Sequence, residues 1–190
     1  MDGRMRLAVL GWPDDGVTLA LDHRQFSYAG KFRMSNTGKA IVADGETVLG
    51  AAAFNRDRTE SSVLWIRYVT VRSDRRGEGL GTRLLTFVRE AGIERGFDRL
   101  RIAVNNPYAY QASYRAGFGY TGRKTGIAEL VLEHPTPDGA DYRSGLAAFA
   151  DRGGLPESAV RFVERRMTTG PPDPIRPAAP WTDRDGPSEG

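Results

Sequence analysis

The segment Val71-Arg72-Ser73-Asp74-Arg75-Arg76-Gly77-Glu78-Gly79-Leu80-Gly81-Thr82 sets three glycines at alternate positions behind a pair of arginines. Glycine lets the backbone take positive φ and approach a ligand closely. Successive amide N–H groups then converge on one point, and a helix starting there adds the positive end of its dipole, so the loop is suited to a phosphate or pyrophosphate. Arg75 and Arg76 add charge where an anion would sit. A tight strand-to-helix turn also favours glycine, so the loop alone does not decide. Two phosphate-binding patterns fail: position 84 is leucine where G-x-G-x-x-G needs its last glycine, and no G-K-[ST] ending is present. What remains is R-x-x-G-x-G across Arg76, Gly79 and Gly81.

Other chemistries are excluded or disfavoured by residue type. The sequence has no cysteine, which removes thiol nucleophiles, disulfides and zinc-cysteine sites. His23 and His134 are the only histidines and stand far apart, so no metal site is expected. A net charge of +3, from 27 basic and 24 acidic side chains, is too balanced to argue for nucleic acid. No apolar run approaches the roughly 20 residues of a membrane helix, and no signal-peptide core follows Met1, so a cytoplasmic protein without membrane contact is expected.

The elements that position the loop follow from periodicity. Arg4 to Leu10 reads as an opening strand, closed by the turn residues 11–16. Residues 17–34 fit helix and strand equally. Lys39 to Ala43 and Thr47 to Phe54 form a hairpin around Asp44-Gly45. Ser62 to Val71 is apolar at nearly every position, as a strand covered on both faces requires. Leu84, Leu85, Val88 and Ala91 recur at helical spacing up to Gly96, and Leu100 to Val104 alternates as a further strand. Strand, crossover helix and strand make a right-handed βαβ unit. Asn106 as N-cap and Pro107 at the first position start a short helix to Ala116, and Ile127 to Leu132 is a final strand. Residues 135–169 carry two amphipathic helices, Tyr142 to Ala150 and Glu157 to Met167, and 170–190 is a proline- and charge-rich tail expected to be disordered.

Taken together, these residues resemble the GNAT superfamily of N-acetyltransferases over about residues 37–133. Arg76, Gly79 and Gly81 resemble its pyrophosphate loop, and Tyr68 to Val71 its fourth strand, whose splayed end takes the acetyl-pantetheine arm. Residues 82–96 match its third helix, Leu100 to Val104 its fifth strand, and Asn106, Ala109 and Gly117-Phe118 the pattern that follows. The resemblance implies an α/β (α+β) GNAT fold with a mixed central sheet, a splayed parallel strand pair and a C-terminal helical extension, residues 1–134 forming the catalytic domain. It implies acetyl-CoA as donor, bound through Val69, Val71, Arg76, Gly77, Gly79, Gly81, Thr82 and Asn106.

The implied reaction is direct attack by a primary amine, of a small molecule or a protein, in a ternary complex. One departure concerns the general acid: the family's tyrosine falls on Ser113, with Tyr114 adjacent and Tyr110 one turn earlier. Successive helical residues point about 100° apart, so Tyr114 can replace it only through a local offset. Tyr114, Ser113 and Tyr110 stay open for that role or for packing, and Glu60 is a candidate base acting through water. A non-catalytic acetyl-CoA-binding module and an RNA-directed acetyltransferase are the alternatives. Phe26, Tyr28, Phe32 and Met34 are candidates for an acceptor cleft or for core. The C-terminal helices are expected to cover the sheet or a partner subunit, the latter giving a homodimer.

Overall fold

The computed structural model describes residues 5–126 and 128–176. The described residues form seven strands and four α-helices in the order β1 (Met5–Gly11), β2 (Gly38–Asp44), β3 (Thr47–Arg56), β4 (Val63–Val71), α1 (Leu80–Glu94), β5 (Arg99–Val104), α2 (Pro107–Arg115), β6 (Gly119–Thr125), β7 (Glu129–His134), α3 (Tyr142–Arg152) and α4 (Glu157–Thr169). The strands form one mixed sheet in the order β1-β2-β3-β4-β5-β7-β6, in which only β4 and β5 run parallel. The hairpin and the βαβ unit stand where periodicity puts them. Arg4 and Ile127, called as the first residues of the opening and final strands, lie outside the described residues, as does the tail from residue 177.

Both sheet faces are covered. Ala40, Ala52 and Phe54 face a large core with Leu84, Val88 and Phe118, whereas Ile41, Ala51 and Ala53 face a smaller cluster closed by Phe32. This alternation is the two-residue period of a strand buried on both sides. Residues 17–34, which fit helix and strand equally, are mostly irregular, with a 3-10 turn at Ala29–Arg33, and cover the second face. Fully buried Lys39 anchors them: its Nζ donates to the carbonyls of Val17 (3.0 Å), Met34 (2.8 Å) and Thr37 (2.7 Å) and to the Thr37 hydroxyl (2.7 Å).

The C-terminal helices are part of the main core rather than an appendage. Leu146, Phe149, Phe162 and Val163 belong to the same buried cluster as Leu84 and Phe118. Short amphipathic helices gain stability mainly by burying such a face. The start of the tail also follows a defined path, since the Ile175 amide donates to the Arg115 carbonyl at 2.8 Å.

Candidate active site

Strand β4 divides the site. In its pairing with β3, Tyr68 stands opposite Ala53 but Ile66 opposite Phe54, so Arg67 is the extra residue of a β-bulge. The parallel pairing with β5 covers Val63 to Ile66 and stops there, and the two strands then part. Past the bulge, the Arg72 amide donates to the Leu49 carbonyl of β3 at 2.8 Å. Amides alternate in direction along a strand, so Thr70 also faces β3, and Val69 and Val71 direct their N–H groups into the gap beside β5.

A cavity of about 300 Å³ opens at this gap. Its wall contains Val69 and Val71 on one side and Arg76, Gly77, Gly79, Gly81 and Thr82 at one end. Gly77 (φ 86°) and Gly79 (φ 79°) adopt the left-handed backbone that favours glycine, and Gly79 caps α1, so the helix start points at the loop. The two arginines differ. Arg75 is bound at both nitrogens by Glu78 (2.7 and 2.8 Å), while exposed Arg76 meets only the Ser27 hydroxyl, at 3.1 Å, among the described residues. Arg76 is therefore the loop's available cation.

Helix α2 forms the opposite wall. Tyr108, Gln111 and Arg115, spaced by three and four, all line the cavity. This stripe was not singled out in the sequence, although its helical spacing was legible there. Asn106 is not in the wall; its Oδ1 accepts from the Ala109 amide at 2.8 Å and caps α2.

The candidate acids separate. Ser113 lines the cavity, but its hydroxyl donates to the Ala109 carbonyl at 2.9 Å. Tyr114 is absent from the wall and packs on Tyr142 with ring centroids 4.6 Å apart. Tyr110 is fully buried, donates to the Tyr142 carbonyl at 2.9 Å, and is held far toward its protonated form by burial. Tyr142 itself is pushed up to about 12 by burial. Glu60 binds Arg99 (2.8 Å) and Arg101 (3.0 Å) and lines neither this cavity nor the next. The helix direction explains the separation: positions 110 and 114 face α3, whereas 108, 111, 112 and 115 face the loop.

A second cavity, of about 430 Å³, lies on the other face of β4. The bulge puts Trp65 and Tyr68 on that same face, and with Arg67, Asn55, Asp57 and Met34 they form its wall. Of the residues considered for an acceptor cleft, Met34 lines it, Phe26 and Phe32 are core, and Tyr28 is exposed with its ring 5.8 Å from that of Tyr68. Tyr28 is also the single described non-glycine residue with positive φ, at 60°. Asp57 and Arg67 were not foreseen, since a bulge cannot be read from one strand alone. Among the described residues, no cluster of three or more histidine and acidic side chains is placed to hold a metal ion, and no helix is long and apolar enough to cross a membrane.

Comparison with known proteins agrees with this architecture. No curated protein sequence matches the chain. Among solved structures, a Bacillus subtilis acetyltransferase in complex with CoA superposes with a TM-score of 0.51 at 12% identity, over 68% of this chain and 97% of that one. An N-acetyltransferase from Staphylococcus aureus Mu50 (TM-score 0.46, 17% identity) and one from Thermoplasma acidophilum with coenzyme A (0.43, 14%) match over 51% and 50% of this chain. The matches span 66% and 58% of those two proteins, less than two thirds of either. The sequence profile of the acetyltransferase (GNAT) family matches residues 6–120, more than half the chain, and the protein belongs to that family.

Proposed function

We propose that this protein transfers the acetyl group of acetyl-CoA to an amine by direct attack in a ternary complex. The pair of N–H groups at Val69 and Val71, without a strand partner among the described residues and facing a cavity that ends in the glycine loop, carries this reading. The pyrophosphate would lie on the amides of residues 77–82 and on Arg76, and the pantetheine arm would run along the free edge of β4 as an added strand. The thioester carbonyl would then meet a strand-edge N–H, which stabilises the oxyanion as it forms.

The acceptor would enter through the cavity lined by Trp65 and Tyr68. The amine nitrogen, as free base, attacks the carbonyl carbon. The C–S bond then breaks, sulfur leaves with the electron pair as the CoA thiolate, and the amine's surplus proton passes to solvent. Placing the two reactants on either side of one strand edge makes proximity the main catalytic contribution. Asn106 acts in this reading through the start of α2, which it caps. Ser113 takes no proton-donating part in this reading, because it is fully buried and its hydroxyl proton is committed to the Ala109 carbonyl.

A second reading, an acetyl-CoA-binding module without turnover, is favoured by one observation: none of Ser113, Tyr114 and Tyr110 has a free hydroxyl proton directed into the donor cavity. Thiol release from acetyl-CoA, followed with a pooled set of amines, separates the two. Amine-dependent release supports transfer, and binding with no amine-dependent release supports the module.

A further inference from the structure

The cavity on the Trp65 face carries a charge imbalance that the acetyl-donor site does not need. Beside it, three carboxylates and three guanidinium groups, of which only Asp57 lines the wall among the described residues, neutralise each other. Arg101, almost fully buried, binds Glu133 (2.7 Å), Glu60 (3.0 Å) and Asp57 (3.4 Å), while Arg99 and Arg123 complete the set against Glu60 and Glu133 at 2.8 and 2.6 Å. Among the described residues, Asp57 is the only carboxylate in the cavity wall, and both its oxygens are occupied. Oδ1 accepts from the Thr59 amide and hydroxyl (both 2.8 Å) and from the Glu60 amide (3.0 Å), and Oδ2 faces Arg101.

Arg67 and Arg58, also in the wall, belong to none of these ion pairs. Exposed Lys31 adds a third cation, its Nζ 5.8 Å from the Tyr68 ring centroid. Arg67 is the organised member. It is half-buried at the bulge, its guanidinium lies 4.4 Å over the Trp65 ring, and its Nε donates to the Asn55 Oδ1 at 2.8 Å. Burial depresses its basicity, with the Asp57 charge opposing that effect. Stacking fixes the plane of the fork and Asn55 occupies its side edge. Among the described residues, the two terminal nitrogens have no hydrogen-bond partner. A planar guanidinium held with its outer edge free matches a carboxylate or phosphate bidentately.

We infer that the acceptor is a small amine that also carries an anionic oxyacid group, a carboxylate or a phosphate, which Arg67 grips end-on with Arg58 and Lys31 adding positive potential. This inference rests on the assignment of the Trp65 cavity to the acceptor. The amine of such a molecule lies a few bonds from its anionic group, so anchoring one at the bulge directs the other toward the strand gap at Val69.

The test compares matched probes on the full chain saturated with acetyl-CoA: L-amino acids against their carboxamides, and O-phosphoethanolamine against ethanolamine. Rates are corrected to the free-base fraction of each amine. The expected kcat/KM favours the anionic member of at least one pair by about 10- to 100-fold, the range of a charge-assisted hydrogen-bond pair. In Arg67→Met the preference falls to within about twofold, while Arg67→Lys, which keeps the charge but not the fork, falls between. Acetyl-CoA affinity, measured on each variant, stays at the wild-type value and confirms that the variant is folded. Equal or better use of the neutral members by the wild type, or a preference that survives Arg67→Met, overturns the inference. The Trp65 indole N–H resonance, titrated with the same probes, reads binding without turnover. A shift with the anionic probes alone, where no acetyl-CoA binds, keeps the anion grip at Arg67 and overturns only the acceptor role, so the two failures are distinguished; no shift with any probe overturns the inference itself.

Discussion

Gly79 is the position where the donor site meets the fold most sharply. It adopts φ 79° at the start of α1, in the wall of the donor cavity, and a Cβ built there meets no atom within 4 Å. Gly79→Ala therefore has no steric cost within the free protein. Its stability cost is that of holding a side-chain-bearing residue in the left-handed region, about 1–2 kcal/mol, or a fall in Tm of about 2–8 °C for a chain of this size. Binding should suffer separately, because the new methyl stands in the space where a pyrophosphate would reach the loop amides. Loss of one such charge-assisted bond, about 1.5–3 kcal/mol, weakens acetyl-CoA by about 10- to 150-fold. Gly16→Ala is the matched control. Gly16 has φ 64°, no atom within 4 Å of a built Cβ, and no part in either cavity wall. The two variants should lose similar stability by thermal denaturation, while only Gly79→Ala loses affinity by calorimetric titration. Equal affinities in the two would refute the reasoning and leave the loop a turn.

Glu78→Ala should bind acetyl-CoA no more weakly than the wild type and with a steeper dependence on salt, because it frees the Arg75 guanidinium beside Arg76; titration at two ionic strengths checks this. Gly145→Ala should lower Tm by about 2–12 °C, the effect of about 1–3 kcal/mol of overpacking, because its Cβ would overlap the fully buried Tyr110 ring that joins α2 to α3. Asp57 is held below the usual carboxylate range by hydrogen bonds from the Thr59 amide and hydroxyl and the Glu60 amide, with Arg101 adding to them. Its folded-state pKa lies below the unfolded one, so its contribution is complete above about pH 3.9 and lost as pH falls through the folded value. The stability advantage of the wild type over Asp57→Asn should accordingly be level from pH 7 to about pH 4 and shrink in more acid solution, by denaturant titration at each pH.

Much of the glycine-loop cavity, the candidate donor site, was legible because its residues are contiguous. Strand, glycine loop and helix follow one another from Val63 to Glu94, and each local pattern agrees with its neighbour. The capping of α2 by Asn106 and the stop of α1 at Gly96 (φ 98°) were equally local. What escaped depends on partners distant in sequence. Strand β6 was missed because Gly122, at φ 78°, interrupts its pairing with β7 between Tyr120 and Lys124, and its polar sequence reads as a loop. The bulge at Arg67 exists only relative to β3, yet it decides that Trp65 and Tyr68 share a face. Tyr110 and Tyr114 carry the right chemistry for proton transfer, but α3 packs on their side of α2 and takes both rings. The apolar faces of α3 and α4 left two surfaces open, the sheet or a partner subunit, since amphipathicity does not name the surface that covers it; in the structure they join the main core.

The central claim is that the cavity at the β4–β5 gap is built for acetyl-CoA, and calorimetric titration of acetyl-CoA into the wild-type protein, with Tm followed in parallel, tests it most directly. Saturable one-to-one binding is expected and, at about a hundred times the dissociation constant, a stabilisation of about 2.7 kcal/mol, or about 5–11 °C in Tm. An absence of both heat and thermal shift at millimolar acetyl-CoA would contradict it.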